Sequence, residues 1–203
     1  MAKIQSIAVE HLKKDRVLAK IIQSTDLSIK KGKGPVYDQL IRALVSQQLS
    51  TKAADTIYGR FITLLGGTAL PEQLINMDLS TLRSVGLSMQ KAQYVKNVSQ
   101  FFLNKGFDNS IWKKMSDDEI LETLTVIKGV GKWTAQMVLI FDLNRHDVFP
   151  VDDLIIRNSI VKHYNVLETG KAQLERLHRI SSKWSPYRSI ACRYLWASKD
   201  QLK

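Results

Sequence analysis

Apolar residues recur along this chain at intervals of three and four rather than alternating, which marks out one buried face of a helix after another. The spacing predicts helices over 7–22, 36–47, 51–65, 80–85, 90–105, 117–127, 132–141, 153–164, 171–182 and 187–198, and no strand. The start of the sixth is the best signposted. Ser116 is a helix-capping residue type, Asp117, Asp118 and Glu119 follow where acidic side chains suit the helix dipole, and Ile120, Leu121, Leu124 and Ile127 supply the apolar stripe. The basic, glycine-containing stretch 30–34 reads as a linker ending at Pro35. No fixed-period repeat and no low-complexity tract interrupts this all-α pattern.

Between the helices predicted over 117–127 and 132–141 lies Gly129-Val130-Gly131, a turn too tight for most side chains. The element is therefore a helix, a hairpin and a second helix whose first amides are unpaired. Such amides, with the partial positive charge of a helix N-terminus, suit a phosphate. Within two dozen residues the paired carboxylates Asp152 and Asp153 stand at the start of another helix. Read alone, they are N-caps, the commonest use of aspartate in that place.

Composition narrows the partners. The 203 residues, 44% hydrophobic, can bury a sizeable core in one domain or two small lobes, and a formal net charge of +11 favours a polyanion. A single cysteine, Cys192, excludes an internal disulfide framework and a four-cysteine iron-sulfur cluster, and points to a reducing compartment. No stretch has the apolar length to span a bilayer, and the first residues lack the continuous apolar core of a secretory signal. A cytoplasmic protein, or a nuclear one in a eukaryote, with no membrane partner is expected. His11, His146, His163 and His178 are scattered without metal-ligand spacing, and neither a zinc motif nor a nucleotide-binding glycine loop is present.

Four segments together carry a family resemblance: IKGVGKWTAQMVLIF, DVFPVDDLIIR, WSPYRSIACRYLW and, near the start, VSQQLS. From about Pro35 onward the chain resembles the alkylation-repair DNA glycosylases of the helix-hairpin-helix superfamily, of the 3-methyladenine DNA glycosylase II type. The resemblance implies two helical lobes with a cleft between them. Residues 1–34 would form an N-terminal helix and linker packing with the C-terminal lobe, 35–145 a lobe ending in the hairpin, and 146–203 a segment carrying the catalytic acid. It further implies a monomer that flips an alkylated purine such as 3-methyladenine out of double-stranded DNA and hydrolyses its glycosidic bond. Alternatives are a glycosylase for another damaged base and a non-catalytic DNA-binding module.

Residue by residue, the match gives the catalytic role to Asp153 and leaves Asp152 as cap or support; spacing alone does not choose. A carboxylate there would stabilise an oxocarbenium-like transition state or orient water. Trp133 stands where relatives that also nick the backbone carry a Schiff-base lysine, so no lyase activity is expected. Trp133, Met137, Leu154 and Trp196 would line the base pocket, although Met137 and Leu154 read equally well as core. An electron-rich ring suits a cationic alkylated purine. DNA contacts are expected from Gln47, Ser50, Lys91, Gly129, Gly131, Lys132 and Thr134. Leu87 and Met89, in the loop GLSMQ, are the candidates for a side chain wedged into the duplex, Met89 being preferred. No cofactor is required; relatives imply at most a monovalent cation held by the backbone carbonyls of Thr125, Ile127 and Gly129.

Overall fold

In the computed structural model, which describes residues 2–27 and 34–198, thirteen α-helices and one π-helical segment account for the regular structure, with no β-strand among the described residues. In chain order they are α1 (Ala2–Leu12), α2 (Arg16–Ser24), α3 (Val36–Ser46), α4 (Thr51–Leu64), α5 (Pro71–Asn76), α6 (Leu79–Ser84), α7 (Met89–Lys105) and α8 (Ile111–Lys114). There follow α9 (Asp117–Thr125), α10 (Lys132–Met137), the π segment Val138–Asp142, α11 (Leu154–His163), α12 (Gly170–Ser182) and α13 (Arg188–Ala197).

The chain forms two units, one drawn from Lys33–Leu143 and the other from Met1–Gly32 together with Asn144–Lys203. In the first, α7 packs chiefly against α5 and α3, and α9 against α10. Leu40, Leu44, Phe61, Leu74, Leu82, Val95, Trp112 and Leu124 are fully shielded there. In the second, α13 is the common neighbour of α1, α2 and α11. Its core joins Leu12, Leu18 and Ile21 to Ile156, Ile160, Leu177, Trp184 and Leu195.

Three expectations change. The helix predicted over 7–22 is two helices, because Asp15 accepts from Val17 N (2.9 Å) and Leu18 N (3.2 Å), starting α2 afresh. Trp184 Nε1 donates to the other oxygen of Asp15 at 3.2 Å, so the break is pinned by a residue 169 positions away. Two helices, α5 and α8, were not predicted; at six and four residues they are too short to show a period. The helix predicted over 132–141 is α-helical only to Met137 and then widens into the π segment. The linker assigned to 30–34 lies, except for Gly34, outside the described residues.

Candidate nucleic-acid interface and catalytic site

The hairpin is built as its sequence demands. Ser116 and Glu119 cap α9 reciprocally: Glu119 N donates to Ser116 Oγ at 3.2 Å, and Ser116 N donates to Glu119 Oε2 at 2.7 Å. Past Thr125 the chain turns, Val130 N donating to Ile127 O at 2.9 Å while the side chains of Ile127 and Val130 point into the core. Gly129 adopts φ 112, a conformation L side chains rarely take, and a Cβ there would run into the ring of Tyr94 from α7. Asn97, one turn further along α7, donates to Lys128 O at 3.0 Å. The hairpin is thus braced by α7. Neither Tyr94 nor Asn97 announces this role in the sequence.

Gly131 is the N-cap of α10, and Lys132 and Trp133 follow at its exposed start, Trp133 with 44% of its surface open. Trp133, Thr134 and Met137 line a cavity of about 680 Å³ together with Gly131 and with Gln47, Gln48 and Leu49 of the α3–α4 turn. Thr134 lies buried in that wall rather than as a surface contact. Gln47 is the C-cap of α3 and Ser50 the N-cap of α4, its hydroxyl accepting from Ala53 N at 3.4 Å. Gln48 holds φ 56, in the left-handed region.

Two further expected DNA contacts give way. Leu87 is 4% exposed and belongs to the core, because a four-carbon apolar side chain at this inward-turning position gains more from burial than from water. Met89, at the first position of α7, is 51% exposed. Lys91 is not a free surface cation: its Nζ donates to Val45 O at 2.8 Å and Gln47 O at 2.6 Å, and partial burial lowers its pKa from the ordinary lysine value. Lys96 is likewise engaged, donating to Met77 O at 2.8 Å.

The candidate acid lies in the other unit. Asp153 is the N-cap of α11 and only 6% exposed; its Oδ1 accepts from Ile156 N and from Trp196 Nε1 of α13, both at 3.0 Å. The backbone bond explains the helix start, and the indole bond fixes the orientation of the carboxylate. Burial, and secondarily the charge of Asp153, pushes the Cys192 thiol well above the usual cysteine range. Asp152 is exposed and its Oδ1 lies 3.6 Å from Arg157 Nη2. Leu154 is 67% exposed, so it is no core residue, and Trp196 is half-buried.

A second clamp, not foreseen from sequence, holds the strand of chain leading to Asp153. Arg188 meets Asp147 in a fork, Nε to Oδ1 at 2.8 Å and Nη2 to Oδ2 at 3.0 Å, while Ser185 Oγ donates to Oδ2 at 2.8 Å. Burial pushes the Asp147 carboxyl up, but the hydrogen bonds from Arg188 and Ser185 outweigh it and hold the group below the ordinary range. Ser189 continues the clamp: its backbone N–H donates to His146 O (2.9 Å) and its hydroxyl accepts from Val148 N (2.8 Å). No group of three or more histidine, cysteine or acidic side chains placed to hold a metal occurs among the described residues, and no helix there is long and apolar enough to cross a membrane.

Comparison with known proteins shows what the chain is similar to in sequence and fold. The chain is 38% identical over 172 residues to DNA-3-methyladenine glycosylase 1 of Schizosaccharomyces pombe, covering 79% of this chain and 71% of that protein. Its fold matches the S. pombe 3-methyladenine DNA glycosylase solved in complex with abasic DNA, with a TM-score of 0.79, 32% identity and coverage of 95% and 96% of the two chains. It also matches a DNA-3-methyladenine glycosidase from Bacillus halodurans, with a TM-score of 0.81, 32% identity and coverage of 95% and 88%. Residues 41–186 match the model of the HhH-GPD superfamily base excision DNA repair proteins. The match spans the hairpin, the cavity wall and Asp153, and the chain therefore belongs to the HhH-GPD superfamily of base excision DNA repair proteins.

Proposed function

We propose that this protein is a monofunctional DNA glycosylase that excises alkylated purines such as 3-methyladenine from duplex DNA and leaves an abasic site. The observation that carries the reading is the carboxylate of Asp153, shielded from water and oriented by Ile156 N and the Trp196 indole. Cleavage of an N-glycosidic bond builds positive charge on the sugar, and a pre-oriented carboxylate stabilises that charge without reorganising as the bond breaks. An alkylated purine already carries positive charge, so its departure needs little help from a general acid. The cavity beside the hairpin supplies a matching surface in the exposed Trp133 ring, and its volume falls in the range of about 300–1,000 Å³ typical of small-ligand sites.

The hairpin amides near Gly129 and Gly131 would position a DNA phosphate without reading sequence, and exposed Met89 would fill the space the flipped nucleotide leaves. Lyase chemistry would need an amine where Trp133 stands; we infer none. Neutral carbonyls such as those of Thr125, Ile127 and Gly129 suit a weakly hydrated monovalent cation, although Ile127 O already accepts one hydrogen bond within the turn. The proposed enzyme acts as a monomer and needs no cofactor for hydrolysis.

Asp153→Asn tests the proposal. Asparagine caps a helix about as well as aspartate, so the variant should fold normally. Excision of 3-methyladenine from duplex DNA is expected to fall by about 100-fold or more, while affinity for an abasic duplex is retained or rises as a negative charge is lost. Borohydride should trap no covalent adduct with the wild-type protein. Undiminished release by Asp153→Asn removes the catalytic assignment, and no release of any methylated purine by the wild type leaves the DNA-binding alternative.

A further inference from the structure

The α3–α4 turn is strained. Gln48 holds φ 56, a left-handed conformation that is unfavourable for a non-glycine residue and persists only where surrounding contacts impose it. The turn also forms one wall of the 680 Å³ cavity, through Gln47, Gln48 and Leu49. Something must hold it in place.

The last carbonyls of a helix have no partner within it and carry partial negative charge. At the end of α3 two of them are met by a cation from a different helix: Lys91 Nζ donates to Val45 O at 2.8 Å and to Gln47 O at 2.6 Å. The second of these carbonyls immediately precedes the strained residue, so the bond to Gln47 O fixes the peptide that Gln48 must follow. Lys91 is itself set in place by the start of α7, where its backbone N–H donates to Ser88 Oγ at 3.2 Å. Met89, the exposed candidate wedge, lies in the same turn of α7. Further along that helix, Tyr94 and Asn97 brace the hairpin. The spacing 91, 94, 97 places all three on one stripe of the helix.

We propose that Lys91 is a positioning residue for base excision: it clamps the Gln47–Leu49 wall of the cavity and sets it in register with Met89 and the hairpin. The inference rests on the glycosylase reading above. It differs from a phosphate contact in what it predicts. A phosphate contact sets affinity and its salt dependence; a clamp sets the rate of the step that follows binding.

The test compares Lys91→Met and Lys91→Arg with the wild type in two measurements: single-turnover release of 3-methyladenine from a duplex at saturating enzyme, and affinity for an abasic duplex as salt is varied. The clamp predicts that Lys91→Met slows release by about tenfold or more, since displacement of about 1 Å in a site can cost a hundredfold. The slope of log affinity against log salt should stay unchanged, and Lys91→Arg, which keeps charge and donors, should restore most of the rate. If Lys91→Met loses its wild-type helical circular dichroism, Lys91→Gln, which is uncharged and one bond too short to span both carbonyls, takes its place with the same expectations. Wild-type release rates in Lys91→Met overturn the proposal. So does a salt slope reduced by about one, and so does Lys91→Arg as slow as Lys91→Met. A wild-type protein that releases no methylated purine removes the glycosylase reading itself, whereas an active wild type beside an unimpaired Lys91→Met removes only the clamp.

Discussion

Gly129 shows how much one residue can carry. Its φ of 112 excludes a side chain on backbone grounds, and the ring of Tyr94 excludes one on packing grounds. Gly129→Ala is therefore expected to destabilise the protein by about 2 kcal/mol or more, the sum of backbone strain and overpacking, as read from urea denaturation. Removing the ring as well, in Gly129→Ala with Tyr94→Ala, should not restore stability, because the backbone strain remains. The need for glycine was legible in Gly129-Val130-Gly131. The partner was not, since Tyr94 lies 35 positions earlier in a helix whose face the sequence leaves open. Asp153 divides in the same way: its capping role follows from its place before an apolar helix, but Trp196, the residue that orients it, is 43 positions away. Lysines are harder still. Lys91 and Lys96 look like surface charges in sequence and are engaged with carbonyls in the fold.

Among the elements, helix starts with a capping residue were placed well. α9 begins at Asp117 behind the Ser116–Glu119 box, and α4 at Thr51 behind Ser50. Ser116→Ala should cost about 1 kcal/mol, visible as a lower thermal midpoint. Where a helix was read across a polar gap, the reading failed. Residues 13–16 are all charged, and the helix predicted over 7–22 bridges them, yet Asp15, tied to Trp184, starts a second helix there. The widening of α10 into the π segment left no sequence mark either; Leu143 N reaching back to Val138 O at 3.0 Å is a bond the packing selects.

For the whole molecule, an excess of 30 Lys and Arg over 19 Asp and Glu predicts an affinity for DNA that falls steeply with salt. Each phosphate neutralised should contribute about −0.9 to the slope of log affinity against log salt, measurable by titrating a short duplex at several ionic strengths. A flat response would mean that the charge excess does not meet phosphate. That excess was legible at once; which cations are available was not, because some are spent inside the fold.

Local chemistry is written locally. Periodicity determined an all-helical chain, capping residues determined where several helices start, and the glycines determined the hairpin, because each of these depends on neighbours a few positions apart. The tertiary structure alone decided that Tyr94 seats against Gly129, that the Trp196 indole orients Asp153, that Leu87 is buried while Met89 is exposed, and that Lys91 caps α3. Those pairings join residues dozens of positions apart. They exist only once burial of the apolar stripes has brought the helices of each unit together.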